Sequence, residues 1–187
     1  DWWAYKLEAY DAIPQNAARM EQGGVVSTVN SDSPVVMRHL NLEAAKSLRF
    51  GGLSPEECLR LITINGAIQL GIDQHVGSIE PGKHGDLAVF DGHPLDTFSR
   101  CVLTLVDGEV LFKDGAFNLE QPIPGRPARA FPPSKDTLTI EPNASGNYWI
   151  VGATLHPVSG PPIENGLLAI SDGKIQRVGA AGGESPP

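Results

Sequence analysis

The sequence predicts an α/β first part followed by a small β-sandwich. In residues 11 to 71, helix-period apolar spacing surrounds one β-branched run, Val25 to Asn30. From Gly77 onward, short apolar runs alternate with Pro-Gly and Asp-Gly turns, the pattern of short strands that could form one mixed or antiparallel sandwich. A Pro-rich stretch from 116 to 146 divides those strands into two sets. The expected segments are therefore 1–75 for the α/β part, 76–115 for the first strands, 116–146 for a linker and 147–187 for the second strands.

Each element has a local cause. Trp2, Trp3, Tyr5 and Tyr10 concentrate aromatic surface at the start, suited to core packing or to lining a pocket. Pro14 can open a helix that carries Ala17, Ala18 and Met20 and stops at Gly23-Gly24. The Val25 to Asn30 run then reads as a buried strand. After Pro34, Met37, Leu40, Ala44 and Leu48 follow helical spacing up to Gly51-Gly52. Ser54-Pro55-Glu56-Glu57 is a capping box that opens another helix, and Thr63 to Gly66 interrupts it before a last turn ends at Gly71.

In the second part, Glu80 to Asp86 is a turn cluster leading into the strand Leu87 to Phe90. Gly82-Lys83 lacks the further glycines of a phosphate loop. Cys101 to Val106, Asp107-Gly108 and Glu109 to Phe112 form a hairpin signal, because Asp-Gly suits the type I′ turn. Tyr148 to Leu155, Leu167 to Ile170 and Lys174 to Val178 are further strands, with Asp172-Gly173 as a second hairpin turn. Asn143-Ala144-Ser145 has the form of a glycosylation acceptor, a triplet common by chance.

The totals exclude some partners. Across 187 residues the formal charge is −8 and no basic run occurs, which argues against nucleic acid and anionic membranes. No apolar run approaches the roughly 20 residues that span a bilayer. Cys58 and Cys101 lack metal-type spacing and lie in apolar surroundings, so free buried thiols are expected, with a disulfide left open. A chain starting at Asp1 reads as a fragment or processed piece.

Asp32 is the candidate catalytic and metal-binding residue. A strand ending in Asn30-Ser31-Asp32-Ser33 delivers a carboxylate at its C-terminal end, where α/β barrels place their chemistry. The same Asp-Ser-Pro is also an ordinary turn and helix-capping sequence. His39 is close enough in sequence to be considered beside it, although a lone helical histidine is more often a surface residue.

Residues 1 to about 115 resemble the C-terminal part of an amidohydrolase-superfamily enzyme of the imidazolonepropionase-like group. The ordered series carries the resemblance: Trp2-Trp3 with Lys6, Asn30 to Ser33, Glu43-Ala44-Ala45-Lys46, Thr63 to Ala67, Gly77 to Lys83, and Gly85 to Val89. Gly66 stands where this group commonly has proline. The resemblance implies the C-terminal fragment of a (β/α)8 TIM barrel followed by the sandwich. It further implies one or two divalent metals, with zinc the expected ion, and a small-molecule amide or cyclic amide as substrate. Asp32 would then be a metal ligand and the acceptor of the attacking water's proton.

A catalytic zinc takes about three protein ligands. The five histidines, His39, His75, His84, His93 and His156, include no His-x-His pair, so the chain alone is expected to be inactive. Ile150 to Pro157, Ile163 to Ile170 and Asp172 to Ile175 resemble N-terminal sandwich strands of the same superfamily. That order implies a second amidohydrolase-like unit beginning here, with the tail strands packing on those from 86 to 113. The remainder of a parent chain or a second copy is the expected protein partner, and the bacterial cytoplasm or an exported location the expected compartment. A non-catalytic amidohydrolase-like scaffold or binding module is the alternative. A free-standing β-sandwich interaction protein would leave the helical first third unexplained.

Overall fold

The computed structural model describes residues 7–114 and 147–182. The early aromatics Trp2, Trp3 and Tyr5, together with Lys6, lie outside the described residues, as do the Pro-rich stretch and Asn143. Among the described residues four α-helices come first: α1 (Asn16–Gln22), α2 (Leu40–Gly51), α3 (Pro55–Arg60) and α4 (Ile64–Leu70). Six strands follow: β1 (Leu87–Phe90), β2 (Cys101–Val106), β3 (Glu109–Lys113), β4 (Tyr148–Leu155), β5 (Ile163–Ser171) and β6 (Lys174–Ala180). They form two three-stranded antiparallel sheets, β1-β2-β3 and β4-β5-β6. Among the described residues there is no closed barrel.

The helices obey their local signals. Ser54 accepts the Glu57 N–H while Glu57 accepts the Ser54 N–H, completing the expected capping box of α3. Gly52 ends α2 and Gly71 ends α4 in left-handed conformation. Gly51 lets α1 approach closely, because a Cβ there would fall 2.1 Å from that of Ala18. Ala18, Ala44, Leu53, Cys58, Leu59 and Leu61 make the helical core, and it is completed from the second half by Leu95 and Val158.

Two sequence expectations need correction. Val25 to Asn30 is not a strand. A strand requires a neighbouring strand, and the described residues supply none; its hydrogen bonds go instead to helices and loops. The helix expected directly after Pro34 is split into a 3-10 turn, Val36–His39, and α2. At His39 the backbone leaves helical geometry with φ −130 and ψ 31. Met37 of the predicted stripe is 60% exposed, whereas Ala44 is buried.

Both expected hairpins are present. Asp107-Gly108 joins β2 to β3 and Asp172-Gly173 joins β5 to β6, with all four residues at positive φ as a type I′ turn requires. Leu103 and Leu105 of the first sheet share one hydrophobic cluster with Ile150, Leu155, Leu168, Ile170 and Ile175 of the second. The hairpin tips meet: Gly85 N–H donates to the Gly173 carbonyl at 2.7 Å, and Gly108 N–H to the Gly85 carbonyl at 3.2 Å. Both cysteines are free, Cys58 buried and Cys101 half-buried.

Candidate functional site

The segment that ends in Asp32 is held by a polar clamp. Glu21 Oε1 on α1 accepts the Ser27 N–H at 3.0 Å and the Ser27 hydroxyl at 3.2 Å. Asn65 on α4, 1% exposed, donates its side-chain amide to the same Glu21 oxygen at 2.5 Å and to the Ser27 carbonyl at 2.8 Å. Thr28 Oγ1 and Val29 N–H both donate to the Leu61 carbonyl, at 2.8 and 2.9 Å. The Ser27 and Val29 backbone groups of this extended segment are thus satisfied by α1 and the α3–α4 region in place of a sheet.

Beyond the clamp the chain turns sharply. Asp32 takes a left-handed φ of 46, and its N–H donates to Asn30 Oδ1 at 3.0 Å. Short polar side chains tolerate that conformation because they can bond locally. Asp32 and His39 are both exposed. Among the described residues Asp32 belongs to no group of three or more His, Cys, Asp or Glu side chains arranged to share an ion. It therefore offers one carboxylate of the roughly three ligands that a catalytic zinc takes.

A different set of donors does converge. His84, Asp86 and Asp107 each place a ligand atom within 4.8 Å of the others, an arrangement able to hold a divalent ion. His84 is half-buried and the two aspartates are exposed. The fold brings them together through the β2–β3 turn: Asp86 Oδ1 accepts the Asp107 N–H at 2.7 Å, and His84 Nδ1 lies 2.7 Å from Asp107 Oδ1. An ion would have to displace the latter contact. Sequence reading missed the group because Asp107 is 21 positions from Asp86 and 23 from His84 and meets them only once the hairpin folds. The nearest signal was the acidic Asp107 in a turn that faces the Gly85-Asp86 turn.

Other motif residues have scaffold roles. Ser78 donates its hydroxyl to Glu80, Lys83 Nζ lies 3.1 Å from Glu80 Oε1, and Gly82 N–H donates to the Ile175 carbonyl at 2.8 Å. The Ser78 hydroxyl foremost, with Lys83 second, holds the Glu80 carboxyl below the usual carboxylate range. This turn therefore fixes the first sheet to the second.

Comparison with known proteins supplies the deciding observation. The amidohydrolase family model matches residues 14–116, more than half of the chain. The chain belongs to the amidohydrolase family. It is 34% identical over 111 residues to amidohydrolase tasK of Hapsidospora irregularis, covering 59% of this chain and 11% of that protein. It is 53% identical over 89 residues to imidazolonepropionase of Porphyromonas gingivalis, covering 46% of this chain and 20% of that one. The crystal structure of an amidohydrolase from Thermotoga maritima MSB8 superposes with a TM-score of 0.55 at 35% identity, over 58% of this chain and 28% of that one. The chain thus spans between 11% and 28% of the length of these relatives.

Proposed function

We propose that this amidohydrolase-family chain is a segment of a metal-dependent hydrolase of amide or cyclic amide carbon–nitrogen bonds, with Asp32 as its catalytic carboxylate. The family membership carries this reading, and the similarity to an imidazolonepropionase supports the cyclic amide class. In the complete enzyme a divalent metal, zinc in this proposal and one or two ions in number, supplies water acidic enough to be deprotonated near neutral pH. Asp32 contributes one ligand oxygen and accepts the water's proton, which it returns to the leaving nitrogen. The remaining ligands come from outside the described residues, so the chain alone is inactive. His84, Asp86 and Asp107 form a separate cation-competent group, since they belong to the turns that join the sheets.

The segment division at 75, 115 and 146 belongs to the same proposal. So does the assignment of the tail strands to the start of a second amidohydrolase-like unit; the shared cluster of the two sheets supports a sandwich built in that order. A small-molecule substrate, and a second copy or the remainder of a parent chain as protein partner, complete it.

The test is Asp32→Asn in the complete polypeptide, assayed against a panel of linear and cyclic amides with bound metal measured in parallel. Hydrolysis falls by roughly 100-fold or more. Near-normal turnover would remove Asp32 from the mechanism. A second reading, a non-catalytic amidohydrolase-like scaffold, is favoured by Asp32 standing exposed and apart from other ligand groups. A complete polypeptide that binds no metal and hydrolyses none of the panel would establish it.

A further inference from the structure

The β5–β6 turn is seated on a buried glycine, Gly85, whose two neighbours carry metal-binding side chains. Gly85 N–H donates to the Gly173 carbonyl, and the Gly85 carbonyl accepts the Gly108 N–H. A Cβ at Gly85 would fall 3.1 Å from Gly108 Cα and 3.2 Å from the Gly173 carbonyl oxygen, so three stretches of main chain meet there. His84 and Asp86 flank Gly85, and Asp107 precedes Gly108. The entry to β1 is fixed on its other side as well: His84 N–H donates to the His75 carbonyl at 2.8 Å, and the Lys83 carbonyl accepts the Ile175 N–H at 2.9 Å.

Main-chain bonds thus hold the carriers of the three converging donors, one imidazole and two carboxylates, before any ion arrives. The bond from Asp107 N–H to Asp86 Oδ1 is compatible with an ion, because a carboxylate has a second oxygen and further lone pairs. With bonds of about 2.0–2.1 Å to a tetrahedral zinc, neighbouring donors stand about 3.3 Å apart. His84 Nδ1 and Asp107 Oδ1, now 2.7 Å apart, need to separate by only a few tenths of an ångström. The exposed Asp107 side chain can supply that movement while its backbone stays in the turn. With the imidazole neutral, the two aspartates bring two like charges, which a divalent ion offsets.

We propose that His84, Asp86 and Asp107 bind a divalent transition metal of the zinc type, with water completing its coordination, and that this ion pins the seat of the β5–β6 turn. It does so by tying the segment entering β1 to the β2–β3 turn, the two stretches that bond to each other and to Gly173. An imidazole donor selects zinc-like ions over calcium and magnesium, which take oxygen ligands. This ion is distinct from the one assigned to Asp32. All three of its protein ligands lie within the described residues, so it binds whether or not the chain hydrolyses anything.

The experiment takes the full chain, free of any affinity tag and stripped with chelator, and titrates it calorimetrically with zinc chloride and separately with calcium chloride. About one zinc binds per chain, and it raises the melting temperature by about 4 °C or more at a hundredfold excess over its Kd. Zinc also slows amide exchange at Gly85 and Gly108, the two donors of the junction. Asp86→Asn and Asp107→Asn keep side-chain shape, and asparagine tolerates the positive φ of position 107. Each weakens zinc binding by roughly tenfold or more, as does His84→Gln, whereas Asp32→Asn leaves it unchanged. Absence of zinc uptake, undiminished uptake in the two asparagine variants, or uptake lost in Asp32→Asn would overturn the site. Calcium binding as tight as that of zinc overturns the choice of ion, and unchanged exchange at Gly85 and Gly108 overturns the pin. Should His84→Gln fail to fold, the asparagine variants decide alone.

Discussion

Asn65 donates its buried side-chain amide to the Ser27 carbonyl at 2.8 Å, joining α4 to the segment that presents Asp32 across 38 positions of sequence. The same nitrogen reaches Glu21 at 2.5 Å, so one amide links three parts of the helical half. Asn65→Ala would leave the Ser27 carbonyl short of a donor and take one of three donors from Glu21 Oε1. It is expected to lower the unfolding free energy by about 2–4 kcal/mol, read by urea denaturation. A loss below about 0.5 kcal/mol would mean that water replaces the amide without cost.

Gly52 and Gly173 form a controlled pair. Both have left-handed φ, 73 and 72, but an added Cβ meets nothing at Gly52 and falls 2.6 Å from the Asp107 carbonyl oxygen at Gly173. Gly52→Ala carries only conformational strain, about 1 kcal/mol. Gly173→Ala must also separate the hairpin tips and should cost roughly 1–3 kcal/mol more. Equal melting temperatures for the two variants would show that the tips do not constrain each other.

Acid should weaken the fold through its carboxylates. Ser54 holds Glu57, and Ser78 with Lys83 holds Glu80, below the usual carboxylate range. A carboxyl more acidic in the folded state contributes stability above its unfolded value, and that contribution is lost as pH falls through the folded value. Glu80→Gln is therefore expected to melt lower than the parent at pH 7 and to converge with it near pH 3. A constant gap in melting temperature over that interval would show that Glu80 acts through its shape and not its charge.

The thiols should differ in reactivity. Burial pushes the Cys58 thiol up to about 11, and its side chain is fully enclosed. At pH 8 only about one Cys58 in a thousand is thiolate, the form that reacts. Folded protein is expected to release one equivalent of thionitrobenzoate quickly, from half-buried Cys101, and the second only on unfolding. Cys58→Ala and Cys101→Ala identify which thiol reports each phase.

What was legible in the residues was what neighbouring residues decide. Ser54 and Glu57 cap each other three positions apart, and Asp107-Gly108 needs only its own left-handed geometry to make a turn. Val25 to Asn30 failed as a strand because β structure is defined by a partner, which no run of β-branched residues supplies. His84 and Asp86 stand two positions apart, but the group escaped notice because its third donor, Asp107, arrives from the β2–β3 turn with no spacing to read. Asp32 was placed at a turn by Asn30 to Pro34, and the turn is present, with the aspartate in its left-handed position.

The shared cluster of the two sheets has a consequence for how the molecule assembles. Each hairpin can form by itself within microseconds, because its contacts are local. Joining them requires the chain between Lys113 and Tyr148 to bring its two ends together before Leu105 and Ile170 can share one cluster. Closure entropy grows only with the logarithm of length, about 0.6 kcal/mol for each doubling. The intervening stretch is thus free to lengthen or shorten over generations with little effect on the joined sheets, whereas the turn residues at either tip are not.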